Sequence, residues 1–233
     1  MITKTVITIV LAAVFFSSSA QTWQTKAPNP SNPYDNVGLE HNYGLINCRS
    51  REASNAATCA SDYTCRRYPQ LPCAVLQEAA NEAITVVKND PGNYVPGYLS
   101  AEGQNYSSQL ISIINQISDL GQVDQIASNI RNLETSILSS KLSDNEQLCL
   151  LSACSVARFS LYYWIENLDL PGDPSLMKGW LAKLVKIIAG DVIGALVGAG
   201  VGTIESGGNP LGPVAGAIVG AIAGSTTVAD AVL

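Results

Sequence analysis

Eight glycines recur at four-residue intervals near the end of the chain, and they constrain how this part of the chain can pack. They form two runs, Gly190, Gly194, Gly198 and Gly202, then Gly212, Gly216, Gly220 and Gly224. Because residues i and i+4 lie on one face of an α-helix, each run places a glycine stripe on an otherwise apolar helix. Glycine costs a helix about 1 kcal/mol relative to alanine. This cost is compensated where another helix approaches the stripe closely, as in small-xxx-small helix pairs.

The two runs predict a glycine-zipper helical hairpin within residues 175–233, with both stripes facing inward. Residues 205–210 form the predicted turn, and Pro213 stands near the start of the second helix, where its missing amide is harmless. Each apolar arm is about 15 to 18 residues long, which is at or below the length that spans a bilayer. Asp191 interrupts the first arm, and a carboxylate in hydrocarbon costs at least about 2.5 kcal/mol. Membrane contact is the favoured interpretation, and packing within a soluble bundle is the alternative.

A basic amphipathic stretch leads into the first glycine run. Leu181 and Leu184 share one helical face, whereas Lys183 and Lys186 share another, and Trp180 lies near the boundary. A membrane surface attracts a stretch of this kind. A solvated lysine face on a bundle helix has the same pattern, so the sequence leaves both interpretations open.

The first 20 residues have the features of a secretory signal peptide. Lys4 precedes an apolar run over residues 6–16, and small residues stand before Gln21. Export to the cell envelope or beyond agrees with the even number of cysteines, which favours disulfides. The disulfide candidates are Cys48, Cys59, Cys65, Cys73, Cys149 and Cys154. The last two point about 140° apart on a predicted helix, so we expect at least one of them to bond to the N-terminal cysteines.

The remaining patterns predict an all-α fold: a helical bundle with an N-terminal disulfide-pinned arm and the C-terminal hairpin. Residues 21–74 are predicted to be an extended arm and a cysteine-rich region, because proline, asparagine and cysteine dominate there. Residues 75–170 are predicted to form the helical bundle, because apolar residues recur there at three- and four-residue steps. Ser143 and Glu146 form a capping box at the start of its last helix.

The sequence predicts no catalytic, cofactor or metal site. His41 is the only histidine, so a Ser-His-Asp or Cys-His site would have to use it. We interpret Asp35, His41 and Asn42 as groups that tie the arm to the bundle by hydrogen bonds, and an enzyme using His41 is the less favoured hypothesis. The cysteine spacing does not match the short pairs of zinc sites. A net charge of −6 argues against a nucleic-acid partner.

Two stretches carry a resemblance to a known group of proteins. Residues 32–42 read NPYDNVGLEHN, and residues 150–160 read LLSACSVARFS, with Tyr163 and Trp164 following. With the glycine tail, they resemble uncharacterised exported proteins of Bacteroidota, which carry an N-P-Y/F-D-x-V-G-x-x-H-N segment after the signal peptide and often end in a glycine zipper. The resemblance implies export and this architecture, and it implies no activity. The cysteine-rich stretch departs from the pattern of the group.

The leading hypothesis is therefore an exported helical protein whose glycine-zipper hairpin contacts or inserts into a membrane. Such a protein is either bacteriocin-like or an envelope component, and its expected partners are membrane lipid and a second copy bound through the zipper. The alternative is a soluble, disulfide-stabilised binding module in which the hairpin is internal packing.

Overall fold

The computed structural model describes residues 21–49, 55–89 and 94–233, and every regular element within these ranges is helical. This confirms the all-α fold. The helices are α1 (Thr22–Thr25), α2 (Asn36–Arg49), α3 (Ala56–Arg67), α4 (Cys73–Asn89), α5 (Ala101–Ile114), α6 (Val123–Leu138), α7 (Asp144–Asn167), α8 (Met177–Glu205) and α9 (Leu211–Val232). The predicted signal peptide, residues 1–20, lies outside the described residues.

The α8–α9 hairpin forms the centre of the bundle. Helices α2, α3, α4 and α7 pack around it, whereas α5 and α6 pack mainly on each other and on α7, with a smaller contact between α5 and α8. By length and composition, three of the described helices could cross a membrane, and each of them is mostly buried inside the bundle: Asp144–Asn167, Pro174–Glu205 and Leu211–Val232. A helix that is apolar on all sides requires such an enclosed position, or else a bilayer.

The two glycine runs face each other along the hairpin, and backbone meets backbone at each step. A Cβ atom added at Gly198 would lie against the carbonyl oxygen of Gly216, and one at Gly194 would lie against that of Gly220. Gly202 and Gly212 form the next pair towards the turn. The turn itself contains Gly207 and Gly208 with φ values of 63° and 88°, a left-handed conformation that glycine adopts without a steric penalty.

The N-terminal region is more helical than the sequence predicts. An extended arm and a loop are expected over residues 21–74, whereas α2 and α3 occupy much of this range. Val37, His41 and Leu45 lie on the buried face of helix α2, at intervals of four residues. A histidine in the middle of this series hides the helical period from a count of apolar residues.

Residues 75–170 do not pack as a bundle separate from the hairpin. Helix α4 packs on α3, α8 and α9, whereas α5 and α6 pack on α7. The hairpin therefore supplies the surface that joins these groups of helices. Removing it would expose the apolar faces of α4 and α7 together.

The disulfides pin α2, α3 and α4 to one another. Cys48 bonds to Cys59, and Cys65 bonds to Cys73. Cys149 and Cys154 are buried free thiols, so the expectation that one of them reaches the N-terminal cysteines is wrong. Both cysteines lie on α7, which packs on α2 and on the hairpin. Their thiols are buried in these contacts and bond to neither disulfide pair. The two disulfides indicate an oxidising environment, extracellular or within the cell envelope.

Candidate functional site

A cluster of buried polar side chains joins the hairpin to the helices around it. Asp191 of α8 is fully buried, and its Oδ2 accepts hydrogen bonds from the Ser160 hydroxyl and from Trp164 Nε1, the latter at 3.1 Å. Both donors belong to α7. The Ser225 hydroxyl of α9 faces the same carboxyl group without meeting hydrogen-bond geometry. The interruption that the sequence shows in the first arm is therefore a polar contact between the hairpin and α7.

His41 of α2 completes this cluster from another side. The Asn42 side-chain amide donates to the Phe159 carbonyl oxygen at 3.1 Å, so its Oδ1 faces His41 Nδ1 at 3.0 Å. This contact requires a proton on Nδ1, and the neutral ring then carries no proton on Nε2. Nε2 lies 4.0 Å from Asp191 Oδ2 and has no hydrogen-bond partner among the described residues.

The cluster contains the residue types of a catalytic triad but not its arrangement. Burial lowers the pKa of His41 to about 3, and the contact with Asn42 offsets only part of this effect, so the ring is neutral. Ser160 donates to Asp191 and not to His41, whereas a serine nucleophile needs a bond to its base. All three side chains are fully buried. The geometry thus supports structural roles for His41 and Asn42.

A second buried network ties the N-terminal segment to α6 and α7. The Arg158 guanidinium of α7 is fully buried and donates to Glu134 Oε1 at 2.9 Å, to an Asp35 carboxylate oxygen and to the Ala27 carbonyl oxygen. Burial opposes the charge of Arg158, but Glu134 and Asp35 outweigh that effect and raise the pKa of the guanidinium above its usual value. Asn32 donates to Glu134 Oε1 at 2.6 Å.

The residues that carry the resemblance therefore meet in space. Asn32 and Asp35 of the N-P-Y-D segment contact Arg158 or its partner Glu134, and the Ser155 hydroxyl donates to the Asp35 carbonyl oxygen at 2.7 Å. The sequence by itself predicts no role for Arg158 or Glu134. A polar pair spaced 24 residues apart on two helices gives no signal that periodicity can detect.

Neither the buried thiol of Cys149 nor the acidic residues form a reactive or metal-binding site in the described part of the chain. Burial raises the pKa of the Cys149 thiol to about 11, which keeps it protonated and unreactive. Cys149 lines a cleft of about 380 Å³ together with Tyr98 and Thr203, between the ends of α7 and α8. Within residues 21–49, 55–89 and 94–233, no three His, Cys, Asp or Glu side chains come together as metal ligands.

The basic lead-in is helical and forms the first turns of α8. Its lysines are exposed, whereas Trp180 is buried and donates from Nε1 to the Asp169 carbonyl oxygen at 2.9 Å. Because it is buried in the bundle, the tryptophan is unavailable to a membrane surface in this structure.

Comparison with models of protein families, with curated proteins and with solved structures gives no match for this chain.

The buried position of His41 predicts an acid-sensitive variant. Asp191→Asn removes the other ionisable group that faces His41. In this variant, we expect the free energy of unfolding to fall by about 2 kcal/mol between about pH 7.5 and about pH 5. The pKa of His41 is about 3 in the folded chain against 6.5 in the unfolded one, so only the unfolded chain takes up a proton in this range. Urea unfolding at the two pH values measures the change.

The double variant Asp191→Asn, His41→Gln is the matched control. It retains every other titratable group, so the difference between the two variants isolates the imidazole. An equal pH dependence in both variants would contradict this assignment.

Proposed function

We propose that this is an exported protein that holds a membrane-inserting hairpin inside a helical bundle. The observation that carries the proposal is the construction of α8 and α9, which have the length and apolar composition of membrane spans and meet through their own backbones. Such contacts persist in a bilayer, where close packing of small residues is what holds helices together. The hairpin can thus leave the bundle as one unit.

The distribution of charge supports the same proposal. Between Lys186 and Asp230, the only charged residues are Asp191 and Glu205. Glu205 stands at the turn, and Asp191 stands one turn after the last lysine of the lead-in, near the end that remains at the membrane surface. A hairpin that enters turn-first places neither carboxyl group at the bilayer centre, where its cost is greatest.

The bundle restrains the hairpin in its closed form. Asp191 keeps its two α7 donors only while the hairpin stays inside, and the disulfides hold α2, α3 and α4 around α9. Within the hairpin, each glycine run covers the other, so self-association through the glycines requires α8 and α9 to separate from each other. A bacteriocin-like toxin or an envelope component would use such a restrained hairpin, and the resemblance to exported Bacteroidota proteins agrees with this setting.

A soluble, disulfide-stabilised binding module is the second candidate. The enclosure of the hairpin favours it, because α2 is fitted closely to α9. A Cβ atom at Gly44 would lie against the Ile222 side chain, which would have to shift to make room for a larger residue. In this candidate, the hairpin never leaves the bundle.

Release of a trapped dye from phosphatidylglycerol-containing vesicles separates the two candidates. We expect the mature full-length chain to release dye, and to release it faster after reduction of its disulfides. Ile204→Lys adds a charge beside the turn at a side chain that is 67% exposed, so folding is unaffected. The added lysine has to cross the hydrocarbon as the turn enters, where a lysine costs about 2.5 kcal/mol or more, so we expect at least about a tenfold slower release.

Val95→Lys is the matched control, because Val95 is also exposed, at 53%, but lies outside the hairpin. It is expected to release dye at the rate of the unsubstituted chain. The membrane proposal fails if the full-length chain releases no dye with or without reductant, or if both lysine variants behave alike. The second candidate then accounts for the fold.

A further inference from the structure

The first turns of α8 present an exposed basic face. Lys178, Lys183 and Lys186 lie within an arc of about 140° around the helix, and Gly179 and Ala182 between them are also exposed. The opposite side of the same turns is buried in the bundle. The lysine face, defined as these three lysines, is therefore a solvent-facing surface of the hairpin.

No acidic partner neutralises the lysine face. None of the carboxylates in the described part of the chain lies within 4.0 Å of its three ammonium groups, whereas Lys26 and Arg67 elsewhere each have such a partner. The whole chain has a net charge of −6. Three unpaired positive charges on one helical face thus oppose the charge of the protein as a whole.

Exposed apolar side chains precede the lysine face in the chain. Leu176 precedes α8 directly and is 60% exposed, and Leu170, in the same connection between α7 and α8, is 53% exposed. A leucine and a lysine close together in the chain suit the boundary of a bilayer, because the leucine can contact the acyl chains while the lysine contacts the headgroups.

We propose that the lysine face docks this protein on the surface of a bilayer that contains anionic lipids. The inference rests on the proposed function, because it adds the headgroup chemistry that the hairpin meets before it enters. The position of the lysines supports a bilayer as the partner: the apolar part of α8 begins at Ile187, one residue after the last lysine. Once α8 is inside, the lysines remain at the headgroups and stop it from moving further.

Sedimentation with vesicles measures docking separately from dye release. We expect the full-length chain to bind vesicles that contain phosphatidylglycerol, to bind phosphatidylcholine vesicles weakly, and to lose affinity as salt is added. Each lysine near an anionic surface contributes about fivefold in affinity, so replacing all three lysines of the face by glutamine should weaken binding about 100-fold.

A second triple variant serves as the matched control. Arg66, Lys88 and Lys141 are exposed and belong to α3, to α4 and to the connection between α6 and α7, and their replacement by glutamine changes the net charge by the same amount. It should retain most of the affinity. Equal losses in the two triple variants would overturn the proposal, because binding would then follow total charge. Failure of the unsubstituted chain to bind anionic vesicles would also overturn it.

The two proposals fail in different ways. Binding that depends on the lysine face without dye release supports docking and contradicts insertion. Dye release that is unchanged by the lysine substitutions supports insertion and contradicts docking. Inorganic phosphate is compared with sodium chloride at equal ionic strength. If phosphate alone displaces the protein from the vesicles, the lysine face binds free phosphate, and docking on lipid is contradicted.

Discussion

Replacement of Gly198 by alanine is expected to lower the free energy of unfolding by about 3 kcal/mol, although alanine favours the helix more than glycine does. The Cβ atom would lie against the carbonyl oxygen and carbonyl carbon of Gly216, well inside the 3.0 Å that real Cβ atoms keep. These atoms belong to the backbone of α9, so no rotation of a side chain can relieve the collision. The two helices have to separate, and their backbone contacts are lost along several turns.

Gly179→Ala supplies the matched control within the same helix. A Cβ atom at Gly179 meets nothing within 4 Å, so alanine there should increase the free energy of unfolding by about 1 kcal/mol. The two identical substitutions are thus expected to have opposite signs, which urea unfolding measures directly. Gly198→Leu should cost more than Gly198→Ala. If Gly198→Ala and Gly179→Ala stabilise the protein alike, the hairpin does not depend on close approach of its glycines.

The sequence predicts the helical class and the hairpin because both depend on local periodicity. Glycines four residues apart identify one helical face without any knowledge of the rest of the chain. The enclosure of the hairpin is a different matter, since a helix that is apolar on all sides is compatible with a bilayer and with a bundle centre. The contacts of α2, α4 and α7 with the hairpin place it at the centre of a bundle. These contacts join segments far apart in the chain, so local periodicity does not predict them.

Helix α2 is missed because polar residues and glycine occupy its buried face. Gly38 packs so tightly that a Cβ atom would collide with Phe159, and His41 and Asn42 are buried with hydrogen bonds to each other. Each of these residues scores against a buried helix when it is counted by hydrophobicity. Two series with four-residue spacing, Val37, His41 and Leu45 and the pair Gly38 and Asn42, are the signal that could have identified the helix.

The polar clusters could not be assembled from the sequence. Asp35 and Arg158 are 123 residues apart, and Ser160 and Asp191 belong to different helices. A single aspartate in an apolar arm indicates a special environment, but it does not indicate which helix supplies the donors. The sequence therefore identifies Asp191 as an unusual charged residue in an apolar helix, but it does not identify the residues that bond to it.

Arg158→Met is expected to lower the free energy of unfolding by about 3 to 5 kcal/mol, because it leaves the buried carboxylate of Glu134 without its cation. The methionine fills similar space, so the loss is mainly electrostatic. The N-terminal segment should loosen as well, since Arg158 also holds the Ala27 carbonyl oxygen and Asp35. Urea unfolding measures the first effect, and the rate of tryptic cleavage after Lys26 measures the second.

Lys26→Met removes an ion pair of the same chemical type from an exposed site. Lys26 and Asp124 lie 3.1 Å apart with side chains 53% and 67% exposed, and such surface pairs contribute less than about 1 kcal/mol. Because this control removes the tryptic site, the cleavage assay compares Arg158→Met with the unsubstituted chain only. Adding Glu134→Gln to Arg158→Met should recover part of the stability, since the unpaired buried charge is then gone. If Arg158→Met costs no more than Lys26→Met, the N-terminal segment is held by its apolar contacts, and the buried network does not fix it to α7.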